Sequence, residues 1–183
     1  VTEPIPPRAW ALLLVLALLW GGSFFFIAVA LPEVPPLSLV ATRALLAALC
    51  LAAAARAFGL RLPPGRAALV TLLGMGVLNN AIPFALIAWA QLHLASGVAS
   101  ILNATTPVWG VILGAALGTA GVTRLRAAGV AAGFAGVVIL MGWEKLLAPG
   151  SGSLAVLAML GATLSYAAAG LWAKRLARDG IPP

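Results

Sequence analysis

Few side chains in this sequence can do chemistry, and most of those that can are embedded in apolar runs. Asn79 and Asn80 are adjacent in one such run, with Pro83 shortly after them. An amide both donates and accepts, so it suits a polar solute crossing an apolar medium. Neighbouring helical positions point about 100° apart, so the two asparagines do not share one narrow face. One of them is expected to face a cavity and the other to bond a neighbouring helix. The competing reading makes both of them packing glue between helices. Asn103, Thr105, Thr106 and Pro107 form a second group. Pro107 lacks the amide that would bond the carbonyl of Asn103, which leaves an acceptor beside two hydroxyls. This predicts a broken helix offering polar groups to a solute. The plainer alternative is a proline kink satisfied by the threonines.

Arg43 is the charged side chain set deepest in an apolar run, about 9 Å from the end of its helix. A structural or gating role, bracing a helix through carbonyls, is expected first and the holding of an anionic substrate group second; the side chain could also reach up to the membrane surface. Trp20, Ser23 and Phe24 make an aromatic and small-polar cluster that could line a cavity, or simply pack. The absences restrict function further. There is one histidine, His93, read as a surface loop residue near Gln91, and one cysteine, Cys50. These exclude an internal disulfide and any histidine-pair or cysteine metal site, so no metal and no cofactor is expected. Without a nucleophile and base in reach of each other, no enzyme is expected either. The four acids (Glu3, Glu33, Glu144, Asp179) lie outside the apolar runs, so no buried carboxylate is available to carry a coupling proton.

The elements that must position these groups follow from composition. The 183 residues are 63% hydrophobic and 8% charged, with a mean hydropathy of +1.11. A soluble domain carries about 25% charged residues, so this chain lacks the charged skin of one. The net charge of +7 is scattered between apolar runs and forms no nucleic-acid face. An all-α, polytopic transmembrane bundle remains, with the lipid bilayer as its solvent. Six stretches are long and apolar enough to span at about 20 residues each. They are Trp10–Leu31, Leu37–Phe58, Ala67–Ala90, Ser96–Gly118, Leu125–Trp143 and Leu154–Lys174. Pro32, Pro35 and Pro36, then Pro63, Pro64 and Gly65, then Pro149 and the Gly-Ser run to Ser153 punctuate them.

Basic residues orient the spans. With the N-terminus in the cytoplasm, Arg8, Arg56, Arg61, Arg66, Arg124, Arg126, Lys174, Arg175 and Arg178 all fall on the inner side, against Lys145 alone outside. Both ends of this chain are then expected to be cytoplasmic. Trp10, Trp89 and Trp143 fall at span ends, where indoles suit the interface. Gly110, Gly114 and Gly118 on the fourth span, and Gly129 and Gly133 on the fifth, are spaced for close helix packing.

The run Leu19–Pro36 and the run Leu164–Pro183 share their punctuation: a small or polar break near an aromatic, a span end, then a double proline. If the sixth span restarts the pattern of the first, the repeat has five helices, and an odd number inverts the second copy. Residues 1–143 would then be one repeat, 144–153 an outer loop, and 154–183 the first helix of a second repeat, with four helices missing. A complete six-helix protein is the alternative.

The stretch Gly76–Gly118 (GVLNNAIPFALIAWAQLHLASGVASILNATTPVWGVILGAALG) resembles helices 3 and 4 of EamA-type permeases of the drug/metabolite transporter superfamily. Leu19–Leu31 resembles the first helix of that family and Leu39–Leu49 its second, with Arg43 at the family's arginine. Arg124–Gly142 resembles its fifth. Two departures stand out: Ala28 where many relatives carry a lysine, and Thr119–Thr123 where many carry an acidic turn. The resemblance implies a ten-helix carrier of the inner (plasma) membrane, made of two inverted five-helix repeats, that exports or exchanges amino acids, other metabolites or drug-like compounds by alternating access. The residues expected to touch the solute are Trp20, Ser23, Arg43, Asn79, Asn80, Asn103, Thr106 and Pro107. The expected partners are a small-molecule solute, the bilayer, and a missing second half or another copy, and no nucleic acid. The alternative is a partial or partner-dependent membrane subunit without transport activity of its own.

Overall fold

The computed structural model describes residues 6–60, 65–119, 121, 123–141 and 150–178. Among these residues every regular element is helical. Helix α1 (Pro7–Ala30) leads to α2 (Pro36–Ala57), and α3 (Arg66–Gly76) continues through a π-turn (Val77–Ala81) into α4 (Ile82–Ala90). Then come α5 (Ser96–Asn103), α6 (Thr106–Ala116), α7 (Arg124–Met141) and α8 (Ser151–Arg178). With α3–α4 and α5–α6 each counted as one rod, there are six, matching the six spans expected from hydropathy. Five rods are long and apolar enough to cross a membrane. The remaining one, α7, ends at Met141, so the expected span end at Gly142 and Trp143 lies outside the described residues. So do Pro63 and Pro64, Lys145, Pro149, and the double proline at Pro182 and Pro183.

Prolines start several of the helices. Pro7 and Pro36 sit at first helical positions, where a missing amide costs nothing and the fixed φ is already helical. The turns come in matched pairs. At one membrane face, Leu31–Pro35 and Gln91–Ala95 take the same path. Val34 N–H bonds Ala30 O and Leu94 N–H bonds Ala90 O, each at 3.0 Å. The next helix then starts from Pro35 (ψ 143) or Ala95 (ψ 146).

At the other face, α2 and α6 both end in Schellman motifs, closed by Gly59 (φ +67) and Gly118 (φ +64). Leu60 N–H bonds Ala55 O at 2.8 Å, and Thr119 N–H bonds Gly114 O at 2.9 Å. The left-handed φ is what places glycine at these two positions. Thus the α1–α2 hairpin and the α4–α6 hairpin repeat the same turn chemistry.

The core lies around α8. Ala155, Val156, Met159 and Ala162 of α8 pack with Ile87 and Ala90 of α4, Ala99 and Leu102 of α5, and Val137 of α7. Phe24 and Ile27 bring α1 against this cluster. In the spanning window of α8, 44% of residues are buried, against 0% for α2, so α8 is central and α2 peripheral. Three contacts align α8 antiparallel to α3–α4: Trp172 on Gly74, Ser165 on Leu78 and Gly161 on Leu86.

The glycines work differently from their expected pairing. Gly133 is the tight contact, since a Cβ there would lie 2.9 Å from Val108 Cγ2 of α6. Gly74 and Gly161 seat Trp172 and Leu86. Among the described residues, a Cβ at Gly110 or Gly129 would meet nothing within 4 Å, and Gly118 belongs to a turn. Spacing alone marks which residues are small, while the neighbouring helix decides which of them are approached.

Candidate functional site

The middle of the third rod carries the first polar group. Ile82 N–H bonds Val77 O, five residues back, which makes Val77–Ala81 a π-turn. Pro83 follows with no amide to give. In this register the carbonyl left without a donor is that of Leu78, five residues before Pro83. Ser165 Oγ of α8 donates to it at 2.7 Å. An unpaired carbonyl at this depth would be costly, and the hydroxyl removes that cost. Asn79 and Asn80 ride on the widened turn, and both side chains are exposed. The expectation that one would face a neighbouring helix is therefore not what this part of the bundle presents. The extra residue of the π-turn leaves both amides on open surface. Single π-turns inside α-helices are frequent at functional sites.

The fourth rod breaks at its middle, between α5 and α6. Thr106 Oγ1 donates to Asn103 O at 2.8 Å, which satisfies the carbonyl that Pro107 deprives. Thr105 Oγ1 lies 2.7 Å from Leu102 O and 3.2 Å from Thr163 Oγ1 of α8. Thr163 Oγ1 in turn donates to Leu160 O at 2.9 Å. The proline kink is thus closed by its own threonines, leaving the hydroxyl lone pairs and the Asn103 amide as its free polar chemistry. Asn103 Oδ1 is buried without a hydrogen-bond partner among the described residues. Pro107 is exposed.

Arg43 of α2 is exposed, and its guanidinium carbon sits 4.3 Å from the centroid of the Phe84 ring. This is a cation–π pair between the peripheral helix and α4. Phe84 lies on α4, just beyond the π-turn that carries the two asparagines. The α1 cluster divides. Trp20 is 67% exposed, Ser23 is half-buried, and Phe24 packs on the core. The Phe24 carbonyl accepts from Gln91 Nε2 at 2.8 Å, tying α1 to the end of α4. Gln91 is buried and its Oε1 has no hydrogen-bond partner among the described residues. His93 is exposed and stacks on Trp89.

The structure therefore places Asn79 and Asn80 on the third rod, with Arg43 of α2 against Phe84 of the same rod, and sets Asn103, Thr106 and Pro107 on the fourth. Trp20 and Ser23 lie on α1, which packs along α5. Ser165 and Thr163 are not among the residues the sequence singles out, and Gln91 is marked there only by its place at a span end. Pro83 is the available signal for Ser165, because a mid-span proline with no hydroxyl beside it in its own rod strands a carbonyl that a neighbouring helix can satisfy. Among the described residues the only carboxylate side chain is that of Glu33, in the turn after α1.

Long apolar rods broken at mid-span, with polar groups gathered at the breaks, define a polytopic membrane protein built like a solute carrier. The chain belongs to the EamA-like transporter family, which it matches over residues 8–142. It is similar to the uncharacterized inner membrane transporter YedA of Escherichia coli, in strains K12, O6:H1 and O157:H7 alike. The identity is 29% over 168 residues, covering 90% of this chain and 52% of the relative. The chain thus spans about half the length of the curated relatives it matches. No solved structure matches it.

Proposed function

We propose that this chain is part of a secondary carrier that moves small organic metabolites, such as amino acids or drug-like compounds, across the inner membrane by alternating access. The observation that carries this reading is the pair Asn79 and Asn80, exposed on a π-turn at the middle of a spanning rod. Polar side chains at that depth face a solute path or another protein segment, because hydrocarbon offers them no partner. Membership of a transporter family and the likeness to YedA support the same conclusion.

In this reading the two amides bond the polar groups of the solute. Arg43, held over Phe84, attracts a carboxylate, because a guanidinium offers paired donors to two oxygens. The Trp20 face packs on apolar parts of the solute, and Ser23, Asn103, Thr106 and Pro107 form the rest of the wall. Residues 1–143 act as one repeat, and the segment from 154 begins a second, inverted repeat that supplies the opposite wall. Rocking of the two halves exposes the site to each side in turn. Both ends of this chain face the cytoplasm, in line with the basic residues at the inner ends of the rods. The residues serve binding and carry no catalysis.

Because the chain spans about half of its relatives' length, a second reading is a subunit that transports only with a partner half or another copy. Flux into proteoliposomes carrying the full-length protein, measured with a panel of labelled amino acids and metabolites, separates the two. Flux that falls in Asn79→Ala and Asn80→Ala supports the carrier. Folded protein that moves nothing alone, but gains flux with a separately expressed second half, supports the subunit. Flux indifferent to both asparagines would overturn the assignment of the site.

A further inference from the structure

We propose that Ser165 is a positioning residue for the solute site, and that one turn of α8 braces both broken helices. This inference rests on the reading of Asn79 and Asn80 as solute-binding groups. Pro83 leaves the Leu78 carbonyl without a backbone donor, and the π-turn makes that carbonyl face α8. Ser165, itself buried, donates to it at 2.7 Å. Two residues earlier, buried Thr163 meets Thr105 at the other break, with 3.2 Å between the hydroxyl oxygens. The three contacts of Thr105 and Thr163 require more hydrogens than the two hydroxyls hold, so the bridge between them alternates with their carbonyl bonds. The Ser165 bond has no such competitor among these contacts and is the firmer of the two ties.

The brace has a structural consequence. A π-turn contains one residue more than the α-helical path, so losing it turns the flanking segments by about 100° relative to each other. Such a rotation would carry Asn79 and Asn80 off the solute. Ser165 holds the turn open by satisfying the one carbonyl that this geometry strands. A displacement of α8 relative to α3–α4 would break this bond first, so the orientation of the amides is linked to the docking of α8.

The test is a double-mutant cycle in full-length protein lacking Cys50 (Cys50→Ala). Ser165→Ala should raise the apparent KM for the transported solute about tenfold and leave maximal flux within about twofold, as expected for one lost hydrogen bond that acts through binding groups. Ser165→Thr, which keeps the hydroxyl, should restore it. Pro83→Ala supplies an amide, so Ser165→Ala should add nothing in that background. A second readout does not need transport. Cysteines at Val77 and Ala81, both exposed and flanking the asparagines, should change their relative rates of thiol labelling when Ser165 becomes alanine. Unchanged labelling and an unchanged KM would overturn the brace, as would an equal Ser165→Ala effect with and without Pro83. If labelling shifts while even the parent protein moves no solute, the brace stands and the carrier reading fails.

Discussion

At the scale of the residue, the chemistry of this protein is that of uncharged polar groups and one cation. Asn79 and Asn80 are exposed at mid-span, so truncating either should leave the fold intact and weaken solute binding. One lost hydrogen bond corresponds to about 1 kcal/mol, so the apparent affinity of each alanine variant should fall roughly five- to tenfold in a flux or binding assay. Arg43 separates two roles. Its guanidinium carbon sits 4.3 Å from the Phe84 ring centroid, and lysine retains the charge without the planar fork. If Arg43 binds carboxylate, Arg43→Lys should weaken the transport of carboxylate-bearing solutes and spare neutral ones. A role only in bracing α2 against α4 predicts equal losses for both. Gln91 is a different kind of residue, because its amide ties α1 to α4 through Phe24 O. Gln91→Leu should lower thermal stability in detergent by about 1 kcal/mol.

Among elements, the third and fourth rods carry the mid-span polar groups, and α8 packs against both. Pro83 and Pro107 stand at the two breaks, and each deprived carbonyl has a hydroxyl: Ser165 for Leu78, Thr106 for Asn103. Pro83→Ala should therefore stabilise the third rod as a plain helix while lowering flux, a separation visible when melting and transport are measured on the same preparation. The contact of α6 with α7 depends on Gly133. Its missing Cβ leaves room for Val108, 2.9 Å from where the carbon would be. Gly133→Leu should destabilise by about 1–3 kcal/mol through overpacking, read as a lower melting temperature. The same substitution at Gly129, where a Cβ would meet nothing within 4 Å among the described residues, should be mild.

On the scale of the whole molecule, α8 organises the bundle, although the family match ends before it, at residue 142. It lies against α4, α5 and α6 and carries much of the buried core. Helices α1 and α2 bury no residue, so in the described bundle they present broad apolar faces. The paired turns fit alternate crossing of the membrane: the two Schellman turns on one side, and the Leu31–Pro35 and Gln91–Ala95 turns on the other. Cysteines introduced at Glu33 and His93 should label with an impermeant thiol reagent added to intact cells. A cysteine at Gly59 should label only after permeabilisation. The reverse pattern would invert the proposed orientation.

Hydropathy and punctuation alone determined the six rods, since a 30 Å hydrocarbon slab selects span length almost regardless of packing. Pro107, with no amide to give, located the break in the fourth rod. Residue types also marked the polar candidates, because so few polar side chains lie within the spans. What the chain could not reveal by itself is who answers whom across space. That Ser165 serves the carbonyl stranded by Pro83, that the turn widens there and leaves both asparagines exposed, that Gln91 turns inward, and that Gly133 is the close approach while Gly110 and Gly129 are not, all depend on neighbouring rods. A one-residue shift in helical register rotates a side chain by about 100°, and only the packing of α8 against the third and fourth rods fixes that register.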